Sequence, residues 1–299
     1  GMLLHNAIQN NAALDKFSRA ELLAQALRQP DLIGICSAWK GFIDFDLSRF
    51  GSMQRALLRI NDLGLEDEHA VQSRLAATLM TAALLIGERD CAQRWFRFGH
   101  RHAVAEGDLA CIDALLFNRA VFSVARQRVA WCFGNFDPDW AKTIRGELAS
   151  ARNLQHLVGI TSMRDHVDLC VARLDLLERK ATVAEDKVVG VHGLESFAGK
   201  HINSAARTID SAFANWLKGD LRGPALSSRL RELSLDDLQP LDPDERLVAL
   251  TMYSRMAEAL GEIDIASLAV RLQESKEDYL RFELELRTAM APWLSTPTS

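Results

Sequence analysis

Between Leu84 and Asp108 the sequence LLIGERDCAQRWFRFGHRHAVAEGD gathers one cysteine, two histidines, four arginines, three aromatic residues and three glycines. Thiolates and imidazoles are the usual protein ligands of zinc, so Cys91, His100 and His102 are the first candidates for chemistry. Their spacing argues against a shared ion. On a helix, residues two apart point in nearly opposite directions, and Cys91 lies more than two turns from either histidine. A helical di-iron centre needs two Glu-x-x-His pairs, and only Glu66-x-x-His69 is present, placed in what reads as a helix's first turn. There is no His-Glu-x-x-His and no His-Asp dipeptide. The reading is that the chain uses no metal and no cofactor.

Other reactive constellations fare no better. GLESFAGKH, residues 193–201, has five residues between its glycines where a phosphate loop has four, and His201 stands where that loop needs a magnesium-binding hydroxyl. The plainer reading is a loop whose glycines tolerate unusual backbone angles. Asp236-Asp237 has no second acidic motif in register, as a magnesium-dependent prenyl-diphosphate enzyme would require. Nothing in the spacing of His192, Ser196 and His201 demands a nucleophile and its base. His166 and Asp168, two apart on a helix, fail on direction. No catalytic residue is assigned.

Two groups of residues survive as candidates for binding. Arg94, Arg97 and Arg101 fall at i, i+3 and i+7, on one helical stripe with Arg89 nearby. Guanidinium groups so placed could fork onto carboxylates or phosphates, although a solvated helix face is the plainer account. In WCFGNFDPDW, Trp131, Phe133, Phe136 and Trp140 surround a turn. Such aromatics are mostly core or loop anchors, and where exposed they make interface hot spots.

These residues must be carried by helices. Leu75, Leu79, Ala83 and Ile86 share one face, as do Val167, Cys170, Leu174 and Leu177 with Ile160 and Met163, and Leu247, Leu250, Ser254, Ala257 and Leu260. Only Lys187–Val191 carries a β-branched cluster, too short to found a sheet. Asp137-Pro138 and Asp242-Pro243 read as helix starts, with aspartate at the cap and proline where its missing N–H has no intrahelical partner. Ser18-x-x-Glu21 and Thr182-x-x-Glu185 read as capping boxes. Gly64, Gly87, Gly107, Gly134, Gly159, Gly219 and Gly261 read as stops or turns. The expectation is about ten to fourteen helices joined by short loops. Within the opening stretch, Gly87 ends one helix, Ala92, Trp95, Phe96, Gly99 and Ala103 form the packing face of the next, and Gly107-Asp108 starts a third near Leu109.

Composition bounds the remaining possibilities. The 299 residues are 48% hydrophobic and 25% charged, ordinary values for a folded domain. The net charge of −5 does not suit neutralising a phosphate backbone, so nucleic acid is not the expected partner. The charge is uneven: residues 231–299 hold fourteen acids against seven basic residues. Five cysteines, an odd number with no Cys-x-x-Cys pair, suit reduced thiols in a cytoplasm. The charge-free run Leu75–Gly87 falls well short of the ~20 residues of a membrane span. MLLHNAIQNN lacks the basic start and apolar run of a secretion signal. No membrane partner is expected.

Gly87, Ala92, Phe96 and Gly99, with Leu79 in the preceding helix, resemble the tetratricopeptide repeat pattern. A partial second match lies at Gly261 and Ala266 in LGEIDIASLAVRL, preceded by Tyr253 and Ser254. The resemblance covers about 65 residues in two pieces. Met80, Ala83, Ala257, Val270 and Gln273 depart from the family pattern. It implies antiparallel helix pairs stacked as an α-solenoid, with a concave surface that takes a peptide or protein.

The combined expectation is an all-α chain: a helical segment over residues 1–65, a helical-pair array over 66–186 and a second array over 187–299 after the Gly-rich break at 190–201. Its expected role is a non-catalytic, cytoplasmic adaptor. It would bind a protein or peptide carrying acidic groups, and a homo-oligomer is open to it. The alternatives are the ligand-sensing or partner-binding region of a transcriptional regulator and an all-α enzyme with an unfamiliar site.

Overall fold

The computed structural model describes residues 9–159, 164–179, 204–233, 235–261 and 265–295. Among these residues the protein is all-α, with twelve α-helices, one 3-10 turn and no strand. The β-branched cluster at 187–191, the Gly-rich break at 190–201 and the capping box at Thr182 lie outside the described residues. No described helix is long and apolar enough to cross a membrane.

The chain divides into two compact units, residues 1–122 with 283–299 and residues 123–282. In chain order the helices are α1 (Asn10–Ala26), α2 (Pro30–Asp46), α3 (Phe50–Asp62), α4 (His69–Leu85), α5 (Arg89–Glu106) and α6 (Leu109–Cys132), followed by α7 (Pro138–Val158) and α8 (Arg164–Leu177). Then come α9 (Ser204–Lys218), α10 (Gly223–Glu232), α11 (Pro243–Leu260) and α12 (Ile265–Leu294). The divisions between units fall inside α6 and α12.

Helix ends follow local chemistry. All seven expected glycine stops have φ between 63° and 87°, a left-handed conformation that glycine adopts at little steric cost. At the start of α7, Asp137 accepts a hydrogen bond from the Trp140 N–H at 3.0 Å, and Pro138 follows it. Asp242 precedes Pro243 in the same way, but its side chain makes no cap bond. The Ser18-Glu21 box is a correction: Ser18 lies in the middle of α1, because the buried positions Ala13, Phe17, Glu21 and Ala24, in helical register, carry that helix from Asn10 to Ala26.

In the first unit, Phe17 of α1 stacks on Trp39 of α2 at 5.9 Å, above a core of Ala13, Cys36 and Ile43. Glu21 is buried between α1, α2 and α3, where Lys40 reaches it at 2.7 Å, Arg59 at 2.6 Å and Ser37 at 3.2 Å. Packing of α4 on α5 depends on small residues. A Cβ on Gly99 would stand 2.8 Å from the Ala76 Cβ and 3.3 Å from Leu115. The last turns of α12 are held in this unit by Gln54, which donates to the Ala289 carbonyl at 3.0 Å, and by buried Trp293.

In the second unit, Trp131 meets Phe213 edge-on at 5.9 Å, and the Arg255 guanidinium lies 3.9 Å from the Trp131 ring centroid. Tyr279 is buried and accepts from Arg126 at 2.7 Å. Tyr253 donates to the Leu230 carbonyl at 3.1 Å, fastening α11 to α10.

Because Ala76 Cβ is fixed to backbone and cannot swing aside, Gly99→Val should force α4 and α5 apart. The expected loss is about 1–3 kcal/mol. It should appear as a lower melting temperature with helical circular dichroism retained. An unchanged melt would show that this contact is slack.

Candidate functional site

The arginine stripe lies on α5, but its members have different fates. Arg94 turns toward the end of α12 and donates to the Leu294 carbonyl at 2.8 Å, satisfying a carbonyl that the helix end leaves over. It is a structural cap. Arg97 and Arg101, one turn apart, are exposed. The Arg101 guanidinium stands 5.8 Å from the Phe98 ring. A fourth arginine joins from the neighbouring helix: Arg119 of α6 lies 4.4 Å over the ring of Phe96, and His100 borders the same ring at 5.8 Å. Phe96 was expected on the packing face. It sits at the flank, half-buried, because Gly99, Ala92 and Ala103 fill the close approach and leave no room there for a benzyl group.

The aromatic turn is divided as well. Trp131 is 9% exposed and belongs to the core of the second unit. Phe133 is 37% exposed, with one side against Tyr279 at 6.2 Å. Trp140 is half-buried, and its backbone N–H is the donor that the Asp137 cap satisfies. Of these aromatics, Phe133 alone offers a large apolar face.

Two assemblies were not foreseen. The first is a buried charge tetrad in the second unit. Arg128 of α6 and Arg173 of α8 face Asp210 of α9 and Glu245 in the first turn of α11. Arg128 donates to both Glu245 oxygens at 2.9 Å and to Asp210 at 2.8 Å. Arg173 donates to Asp210 at 3.0 Å and to Glu245 at 2.9 and 3.3 Å. Asp210 is 0% exposed, Arg128 1% and Arg173 5%. Burial works against the Arg173 charge, but the adjoining Glu245 and Asp210 carboxylates outweigh it and hold the guanidinium protonated well above its ordinary range. Two positive and two negative groups cancel, which is the condition under which charges persist in an apolar interior. Cys170 lies close by, and burial raises its thiol to about 12, so it is no nucleophile at neutral pH. The tetrad has the form of a structural clamp, with its carboxylates occupied by the two guanidinium groups.

The second assembly is a histidine pair. His69, the first residue of α4, and His102 of α5 bring their Nδ1 atoms to 3.0 Å, with Phe98 4.4 Å from the His102 ring. Burial, then His69 and Arg101, lower the His102 pKa, and Asp67 opposes them. Neither His100 nor Cys91, on the same helix, is the partner of His102. Its partner comes from the helix before. Among the described residues no three His, Cys, Asp or Glu side chains gather as a metal site.

An open depression along α10 is lined by Pro224, Ser227, Ser228, Arg231 and Glu232. It brings neither a thiol nor an imidazole to its hydroxyls. The exposed guanidinium face at the α5–α6 flank is therefore the better candidate for recognition.

No family model matches the chain, and no curated protein or solved structure matches it.

Breaking the tetrad by removing one partner leaves a buried charge uncompensated. Asp210→Ala should cost about 3–5 kcal/mol, whereas replacing all four residues by apolar ones of similar volume should cost much less. Urea unfolding followed by helical circular dichroism compares the two. Equal losses would mean that the charges contribute through packing volume alone.

Proposed function

We propose that this chain is a protein- or peptide-binding helical array, tetratricopeptide-like in plan and cytoplasmic in setting, and that it grips acidic groups on its partner at the flank of α5 and α6. The observation that carries this reading is the pairing of Arg97 and Arg101, exposed one turn apart, with the Arg119 guanidinium 4.4 Å over the Phe96 ring. Carboxylates accept hydrogen bonds from guanidinium in a planar fork, and a guanidinium held against a ring loses less freedom on binding than one waving in water. Phe96 would offer apolar contact beside the charges. No bond is made or broken in this account. Binding rests on a surface formed before the partner arrives. Five unpaired cysteine thiols support a reducing compartment.

The reading predicts a separation of variants. Arg97→Ala with Arg101→Ala should reduce affinity for acidic 15-residue peptides about ten-fold or more, measured by fluorescence polarisation at low salt, with the melting temperature unchanged. Arg94→Ala should lower the melting temperature by loosening the end of α12, without changing peptide affinity. Equal binding of acidic and neutral peptides by the native protein would defeat the proposal.

A further inference from the structure

We infer that His69 and His102 form a proton-operated latch, which fastens the first turn of α4 to α5 when at least one ring is neutral and opens when both are charged. The geometry supplies the condition. Two Nδ1 atoms 3.0 Å apart can share one hydrogen bond only if one ring donates its N–H and the other accepts through a lone pair. A second proton removes the acceptor and sets two positive N–H groups against each other. The rings are in contact: His102 is flanked by Phe98 and stands edge-on to His69, with the centroids 5.0 Å apart.

The neighbouring charges bias the pair. His69 is the first residue of α4. Arg101, beside His102 on α5, disfavours the charged form of the His102 ring. Asp67, in the turn before α4, favours the charged form, and Glu66 and Glu68 flank it in sequence. Five residues into α4, Arg74 is engaged by Asp108 at 2.9 Å, and Asp108 also caps α6 by accepting from the Cys111 N–H at 3.0 Å. That pair forms a second tie between α4 and the end of α5, so opening of the latch would be confined to the first turn.

The sign follows from linkage. An imidazole harder to protonate in the folded chain than in the unfolded one adds stability that is fully present above the ordinary value of 6.5 and is lost as pH falls through and below it.

Hydrogen exchange on the full chain tests the inference, with rates corrected for intrinsic pH dependence at pH 7.5 and 5.5. Amides of the first turn of α4 should lose about ten-fold in protection at the lower pH, while those of α11 keep theirs. His102→Gln offers a donor and an acceptor without a charge and should remove the difference. His69→Gln should do the same and serves if the first variant folds poorly. In NMR titration the His102 imidazole should have its midpoint below 6.5, and replacing His69 should move it. If native and glutamine variants share one pH dependence, or if His102 titrates independently of His69, the latch does not exist.

Discussion

Four helices of the second unit converge on charges that cannot be exposed and cannot be left alone. Arg128, Arg173, Asp210 and Glu245 pair across α6, α8, α9 and α11, each acid taking hydrogen bonds from both arginines, although the buried Arg128 Nε finds no partner. Hydrophobic burial is tolerant of direction; a set of forked hydrogen bonds is not. Sliding any one helix by a turn would strand a buried charge. The tetrad therefore fixes register among helices whose apolar stripes alone would permit several arrangements. The deep burial of Cys170 and the placement of Trp131 belong to the same packed interior.

The first unit reaches definition by other means. There one close helix approach depends on an absent side chain, Gly99 beside Ala76, and α1 and α2 are joined by stacked aromatics. Arg94 and Arg287 tie carbonyl groups at Leu294 and Ile86, so the basic residues around α5 divide between holding helix ends and facing outward. This division is why a stripe of like residues in one helix does not present one uniform face. Arg97 and Arg101 remain outside, and Arg119 enters their neighbourhood from another helix.

How much of this could be read from residue order depends on the range of each interaction. The left-handed glycines and the Asp137 cap are settled within a few residues, and the apolar stripes report which side of a helix is buried. Stripes do not report which buried sides meet. Arg128 lies 82 residues from Asp210 and 117 from Glu245, and His69 lies 33 from His102, so these partners carry no local mark. Turns at Arg28 and Ser48 place non-glycine residues at φ 54° and 55°, without the usual signature. Ser18-x-x-Glu21 shows the converse: a pattern suited to a first turn also occurs mid-helix when its acid has a tertiary role.

Glu21 has two cationic neighbours where one would neutralise it. Lys40 comes from α2 and Arg59 from α3, and the two reach different oxygens of the carboxylate. A lineage that lost either cation would still hold the acid in a paired state, so the two positions can drift singly although not together. Replacing Glu21 itself has no such reserve, since it would release an ammonium and a guanidinium at once. Tolerance to change at this junction is thus unequally shared: broad for the two bases taken singly, narrow for the one acid they surround.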